Sequence, residues 1–225
     1  MDELFHPLFI KEGIMLREDI DIFLNSIDEN VNIVAATKYV DSKEMLKLLD
    51  HNINSFGENR VDSFLAKYDE LKGYDIKWHF IGHLQRNKAL KVINKIDCLH
   101  SLDSLSLAKI IDDNRNTPLD TFIEVSVNEE ESKNGVKINE LSSFVEEVLK
   151  YKNINLIGFM MMAKDESSHD ELIKQFSILK NLLLEINNKY SLNMTSLSMG
   201  MSNDYKEAIL CGATHIRLGR ILWKN

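Results

Sequence analysis

The chain has 225 residues, of which 44% are hydrophobic and 28% are charged, and this composition is typical of a soluble globular protein. Its 27 basic and 35 acidic residues give a net charge of −8, and an acidic surface repels phosphodiester backbones, so nucleic acid is not expected as the main ligand. The two cysteines, Cys98 and Cys211, lack a CxxC spacing, the N-terminus shows no signal-peptide pattern, and the apolar stretches are too short to span a bilayer. These features predict a cytoplasmic protein with neither a disulfide framework nor a membrane partner.

The hydrophobic pattern predicts short strands that alternate with helices along the whole chain. The predicted helices cover residues 3–28, 42–49, 59–71, 85–96, 103–113, 139–151, 167–190 and 204–210. The predicted strands cover residues 31–36, 54–56, 77–81, 98–100, 119–127, 155–162, 195–197 and 215–218.

Eight strands that alternate with helices indicate parallel βα units, so the predicted fold class is α/β. In a chain of this length they fit a single (β/α)8 TIM-type barrel over residues 1–225, with an extra N-terminal helix. A doubly wound open sheet is the alternative. The sequence contains no GxGxxG turn and no Walker A, GxSxG or HExxH motif.

Function in such a barrel sits where the strands end, so the residues that follow each strand are the first candidates. Lys38 follows the first apolar run, and a lysine desolvated at a barrel mouth can present a neutral amine for Schiff-base chemistry. An exposed lysine at the start of a loop is the ordinary alternative. Asn59 follows the second strand, where capping of the next helix is its ordinary role.

The third strand carries two histidines four residues apart, His79 and His83, but Gly82 breaks the helix that would place them on one metal. No cysteine or carboxylate cluster accompanies them in the sequence, so no metal is expected. The sixth strand ends in three methionines, residues 160–162, which serve either as core filler or as a soft apolar wall against a flat ring.

The strongest local signal is the segment 197–204, LSMGMSND, which follows a short strand and opens a helix. Gly200 lets the backbone approach a ligand closely. Ser202 lies at the start of the next helix, where the backbone N–H groups favour phosphate. The last strand ends in Arg217 and Arg220, which would add charge-assisted hydrogen bonds. A capped helix beside a solvated arginine is the plainer interpretation. Together with Lys38, these loops favour a phosphorylated aldehyde, and pyridoxal phosphate needs both features.

Taken together, these segments resemble the pyridoxal phosphate homeostasis protein family, whose barrel is similar to the N-terminal domain of alanine racemase. The resemblance extends from about residue 31 to residue 222. Its carrying motifs are ATK (36–38), FGEN (56–59), WHFIG (78–82), HSLDS (100–104), VN (127–128) with SKNG (132–135), LSMGMS (197–202) and RLG (217–219).

The resemblance implies that Lys38 holds pyridoxal 5'-phosphate (PLP) as a Schiff base and that Ser202, the amides near Met201 and Gly219 hold its phosphate. Arg217 would approach the phosphate or the ring nitrogen, where an arginine disfavours protonation and weakens the ring as an electron sink. Arg220 stands where the family usually has a small or hydroxyl residue. The expected cofactor-binding residues are therefore Lys38, Asn59, Ser198, Met201, Ser202, Arg217, Gly219 and Arg220.

The resemblance also implies a carrier in vitamin B6 homeostasis without established catalysis. A weak PLP-dependent amino-acid racemase is the alternative, but racemisation needs a base on each face of the substrate carbon, and Lys38 serves only one. The second base of alanine racemase comes from an additional domain, which this chain is expected to lack. A barrel that binds a phosphorylated sugar is the third hypothesis. The expected partners are PLP and, as recipients, PLP-dependent apoenzymes, with the chain itself a monomer.

Overall fold

The computed structural model describes residues 15–127 and 134–224. In chain order its strands are β1 (Met15–Leu16), β2 (Asn32–Ala36), β3 (Ser55–Glu58), β4 (Lys77–Phe80), β5 (Cys98–Leu102), β6 (Leu119–Ser126), β7 (Val136–Lys137), β8 (Ile154–Met160), β9 (Ser196–Met201), β10 (His215–Leu218) and β11 (Trp223–Lys224). Its α-helices are α1 (Ile20–Asn25), α2 (Ser42–Leu49), α3 (Val61–Glu70), α4 (Arg86–Ala89), α5 (Leu105–Asn114), α6 (Ile138–Val148), α7 (His169–Tyr190) and α8 (Tyr205–Leu210).

Eight of these strands close into a parallel barrel. The order of neighbours is β5-β4-β3-β2-β10-β9-β8-β6, and a pairing between β5 and β6 closes the ring. Every pairing within the ring is parallel, as crossover helices require. The predicted (β/α)8 barrel is therefore confirmed, and α1 supplies the predicted extra N-terminal helix.

Three of the described α-helices, α2, α5 and α7, begin at a capping side chain. The Asp41 side chain accepts a hydrogen bond from the Glu44 amide at the start of α2. Ser168 and Glu171 form a capping box at the start of α7, and Ser191 ends that helix in the left-handed conformation. Local chemistry thus sets the bounds of both elements.

The barrel has two faces of different character. Ile123 and Val125 of β6 belong to the main core between barrel and helices, whereas Phe122 belongs to a separate buried cluster with Cys98 and Met160. Because successive strand residues face opposite sides, Phe122 and its neighbours lie inside the barrel. Alongside them the interior holds buried polar side chains, including His79, His100, Ser198 and Arg217.

Two predicted helices were wrong in part. Within the predicted helix 3–28, Met15–Leu16 is a strand that pairs antiparallel with Trp223–Lys224, and residues 3–14 lie outside the described residues. The predicted helix 85–96 is helical only at Arg86–Ala89. It continues through turns in which the amides of Val92 and Lys95 bond three residues back, and this path still buries its apolar side chains.

Three strands, β3, β5 and β9, are longer than predicted, and the changes in β3 and β9 have consequences for the site. Gly57 and Glu58 belong to β3 rather than to a turn after it. β9 runs to Met201, so Ser198 is a strand residue inside the barrel instead of part of a loop. Throughout residues 15–127 and 134–224, no helix combines the length and apolar content needed to cross a membrane.

Candidate functional site

A cavity of about 510 Å3 opens at the carboxyl ends of the first and last two barrel strands. Six of the eight sequence-predicted residues line it: Lys38, Met201, Ser202, Arg217, Gly219 and Arg220. Residues that are 160 or more positions apart in sequence thus meet at one mouth of the barrel. Ser198 and Asn59 are not among the lining residues.

Lys38 lies two residues beyond the end of β2, with its side chain exposed. Its ammonium nitrogen lies 4.6 Å from the centroid of the Tyr39 ring, which also lines the cavity. Of the two alternatives from the sequence, the structure shows the exposed lysine, since the side chain sits at the rim of the cavity. An accessible amine remains suited to condensation with an aldehyde.

The residue before Lys38 is held by a buried ion pair that sequence reasoning missed. The Lys67 ammonium donates to the Thr37 carbonyl and to Glu58 Oε1, both at 2.6 Å, and the Thr37 hydroxyl donates to the same carboxylate at 2.5 Å. Glu58 and Thr37 are fully buried, and Lys67 is nearly so. A buried ammonium fixed to a backbone carbonyl restricts the path by which the chain reaches Lys38.

Ser202 and the loop after β10 form a small cradle of hydrogen-bonding groups. Ser202 Oγ accepts hydrogen bonds from the Gly219 and Ile221 amides, at 3.2 and 3.3 Å. Two converging amides are the donors that an anionic oxygen needs. The Met201 amide, by contrast, already donates to the Asp204 carboxylate, and burial raises the pKa of that carboxyl. Arg220 is exposed at the rim.

Arg217 is the buried cation of the site. Within the described residues its guanidinium donates to the Ser198 carbonyl at 2.8 Å, the Ser198 hydroxyl at 2.7 Å and the Met161 carbonyl at 2.8 Å. A guanidinium has five N–H donors, so two remain for a ligand. Burial lowers the pKa of Arg217 to about 10, which leaves it charged at neutral pH.

Besides Glu58 Oε2 at the end of β3, two polar atoms near the barrel mouth are buried without a hydrogen-bond partner anywhere in the described parts of the chain. One is Asn59 Oδ1. Asn59 packs closely on Gly82, since a Cβ added at Gly82 would lie 2.4 Å from the Asn59 carbonyl oxygen. The other is Trp223 Nε1, and Trp223 lines the cavity. Sequence reasoning missed Trp223, although an aromatic residue six positions after Arg217 was the signal available.

The two histidines of the third-strand motif lie apart. His79 is buried inside the barrel, whereas His83 is on the rim and pairs with Asp103 at 2.8 Å. His79, Cys98 and His100 place their ligand atoms within 4.8 Å of one another, but the two imidazoles already share a hydrogen bond of 2.9 Å. The absence of a metal stays a prediction. Met160 and Met161 are buried, Met162 is exposed, and none of the three lines the cavity.

A buried carboxyl inside the barrel gives a pH-dependent prediction. Burial, with a smaller contribution from Asp103, raises the pKa of Glu124 to about 7 from its ordinary 4.5. The folded protein thus binds this proton more tightly than the unfolded chain does, so the stabilisation is present below pH 4.5 and is lost as the pH rises through 7. Compared with Glu124→Gln, the native chain should lose roughly 3 kcal/mol of unfolding free energy over this interval.

Urea denaturation of both proteins at several pH values measures this difference directly. The comparison cancels the buried histidines, because they are common to both chains. Parallel pH profiles for the two proteins would contradict a raised pKa at Glu124.

Gly200 shapes the turn that carries Ser202, which gives a second prediction. Its φ is +93°, and an added Cβ would lie 2.6 Å from the Ala208 Cβ and 3.0 Å from the Tyr205 Cα. Gly200→Ala is expected to destabilise the fold by about 2 kcal/mol, since strain and overlap add. Gly73→Ala is the matched control, because its φ is +95° but no atom lies within 4 Å of the added Cβ. Equal losses in urea denaturation would show that packing at Gly200 contributes nothing.

The comparison with protein families defines the class of this barrel. The family model described as "Alanine racemase, N-terminal domain" matches residues 15–225. An alanine racemase from Clostridium difficile superposes with a TM-score of 0.72 over 93% of this chain and 57% of that chain, at 14% identity. The barrel is thus of the alanine racemase N-terminal class.

More similar relatives narrow the assignment. A pyridoxal phosphate homeostasis protein from Aquifex aeolicus is 36% identical over 194 residues, 85% of each chain. One from Synechocystis is 37% identical over 202 residues, covering 88% of this chain and 93% of that protein. PipY from Synechococcus elongatus, solved with PLP bound, superposes with a TM-score of 0.85 at 28% identity, covering 91% of this chain and all of that one. The chain belongs to the pyridoxal phosphate homeostasis protein family.

Proposed function

We propose that this chain binds PLP in the cavity at the barrel mouth and takes part in intracellular PLP homeostasis. The observation that carries the proposal is the meeting of Lys38, Arg217 and the Ser202 cradle in one cavity. The amine matches the aldehyde of one ligand, and the buried cation matches its ring or its phosphate charge. The converging amides match its phosphate oxygens. The name shared by its relatives and the bound PLP of PipY support the same function.

In this proposal each side chain has a stated part. Lys38 would hold the cofactor covalently, through its amine and the cofactor's aldehyde carbon, with loss of one water. The Ser202 hydroxyl and the Gly219 and Ile221 amides would hold the phosphate as hydrogen-bond donors. The two unused N–H groups of Arg217 bind the ring nitrogen or the phosphate. Arg220 adds charge at the rim, and Asn59 lies near the ring with its unpaired oxygen.

We further propose that the chain holds and releases PLP without turning over amino acids. PLP supplies an electron sink for carbanions when its ring nitrogen is protonated, and an arginine beside that nitrogen opposes protonation. Lys38 supplies a base on one face of a bound amino acid only. Weak racemase activity is the alternative, favoured by the similarity of the barrel to alanine racemase. Recipients among PLP-dependent apoenzymes, a monomeric state and a cytoplasmic location belong to the same proposal, and the two buried free cysteines fit a reducing compartment.

An absorption spectrum of the purified chain with added PLP tests the binding. The expected result is a yellow Schiff-base band that borohydride bleaches, together with a stable mass adduct on the peptide that contains Lys38. A chain that stays colourless with added PLP would contradict the proposal and favour a phosphorylated sugar as ligand. Deuterium exchange at the α-carbon of added amino acids separates carrier from enzyme, because a carrier should leave the α-proton in place.

A further inference from the structure

A continuous chain of hydrogen bonds crosses the barrel interior below the cavity. Arg217 Nη1 donates to Ser198 Oγ at 2.7 Å, Ser198 Oγ lies 2.8 Å from His100 Nδ1, and His100 Nε2 lies 2.9 Å from His79 Nδ1. The four residues come from β10, β9, β5 and β4, and all of them are buried. We call these four residues the interior relay.

The direction of the interior relay follows from donor and acceptor chemistry. A guanidinium only donates, so Ser198 Oγ accepts from Arg217. The serine hydrogen is then free to go to His100 Nδ1, the other atom that Ser198 Oγ meets. His100 consequently carries its proton on Nε2 and donates it to His79 Nδ1. In this arrangement each link has one donor and one acceptor.

Neutral groups alone hold Arg217 in place. Across the described residues its hydrogen bonds go to two carbonyls and one hydroxyl, and no carboxylate there lies within ion-pair distance of it. Asp204 and Glu124 act on the charge only through space. A buried cation without a direct counter-charge keeps its full attraction for an anionic or lone-pair ligand, and its position depends on the neutral acceptors.

We propose that His100 and Ser198, supported by His79, are positioning residues that orient Arg217 toward the cofactor. This inference rests on the proposed function, because it concerns the group that Arg217 meets in the cavity. The interior relay fixes the Nη1 side of the guanidinium, so the two unused N–H groups face the cavity in one orientation. Loss of the hydroxyl acceptor at Ser198 would remove one of the three hydrogen bonds that fix the guanidinium, so the guanidinium would rotate more readily.

The histidines of the interior relay stay neutral during this role. Burial lowers the pKa of His79 to about 3 and that of His100 well below its ordinary value. Burial likewise lowers the pKa of the neighbouring His215 to about 4. Three neutral imidazoles therefore lie beneath Arg217 at physiological pH, and they add no positive charge that would compete with it for the ligand.

Two experiments on the full chain test the proposal. In the first, PLP titrations followed by absorption compare the native chain with Ser198→Ala, His100→Leu and His100→Asn. The first two variants should bind PLP about tenfold more weakly and shift the absorption maximum of the bound cofactor. His100→Asn should restore near-native values, because its side-chain oxygen replaces Nδ1 as the acceptor for Ser198.

Ser101→Ala is the matched control for Ser198→Ala. Ser101 is also fully buried and hydrogen-bonded, but its hydroxyl donates to the Gly82 carbonyl, outside the interior relay. It should leave the PLP affinity within about twofold of native. Native affinity and spectrum in both Ser198→Ala and His100→Leu would overturn the proposal, as would a His100→Asn variant as weak as His100→Leu.

The second experiment uses nitrogen NMR of the histidine and arginine side chains without PLP, so it does not depend on cofactor binding. We expect His100 protonated on Nε2 with Nδ1 as acceptor, and slow rotation of the Arg217 guanidinium that accelerates in Ser198→Ala. A proton on His100 Nδ1, or equal rotation in both chains, would overturn the interior relay. If the native chain fails to bind PLP, the proposed function and the cofactor-directed role both fall, while these spectra still decide whether the interior relay holds Arg217.

Discussion

Lys38→Ala is expected to abolish the covalent attachment of PLP while leaving the fold intact. Without the ε-amine no C=N bond can form, so the yellow band and the borohydride-fixed adduct should both disappear. Residual binding would rest on the Ser202 cradle and Arg217 alone, and the affinity should fall at least about tenfold. Because the Lys38 side chain is exposed, the free energy of unfolding should change by less than about 0.5 kcal/mol.

The matched control for this prediction is Lys43→Ala. Lys43 is an equally exposed lysine on α2, five residues away, and it does not line the cavity. Absorption spectra, intact-protein mass after borohydride and urea denaturation should give native values for this control. A Lys38→Ala chain that keeps a bleachable band would place the Schiff base on another lysine, and the assignment of Lys38 would be wrong.

The eight barrel strands were predictable because short, largely buried runs alternate with helical patterns along the chain. Hydrophobic periodicity indicates which side chains are buried, and in this chain the buried runs coincide with the strands. The errors fall where structure depends on distant partners. Met15–Leu16 is a strand only because Trp223–Lys224 lies beside it, and a pairing across some 200 residues leaves no local pattern.

The candidate site was predictable to a similar limit. Lys38 and Ser202 follow strand ends and Arg217 lies next to the end of β10. A barrel brings these strand ends to one mouth, so the shared cavity follows from topology. The groups that hold these side chains could not be found in the same way. In the sequence, Lys67 does not differ from other lysines on amphipathic helices, and only the folded chain brings it into contact with Glu58. Ser198 belongs to the predicted phosphate loop in the sequence, but the extra length of β9 turns it into the barrel interior.

Lys67→Met is the second large effect expected, and it concerns stability. The substitution leaves the fully buried Glu58 carboxylate without its counter-charge and the Thr37 carbonyl without its donor. Removing one partner of a buried ion pair costs about 3–5 kcal/mol, and this loss should appear as a lower urea midpoint with an unchanged slope. Exposed Lys43→Met controls for the change of residue type and should stay within about 0.5 kcal/mol of native.

The double variant Glu58→Gln with Lys67→Met separates the charge from the packing at the same place. A neutral amide can still accept from the Thr37 hydroxyl, and no unpaired charge remains, so most of the lost stability should return. The PLP affinity of the double variant then shows whether the Lys67 ammonium also positions Lys38. If stability returns but PLP binding stays weak, the bond from Lys67 to the Thr37 carbonyl is needed to place Lys38. Equal destabilisation of the single and double variants would show that the Lys67 contribution is packing of its aliphatic stem rather than pairing with Glu58.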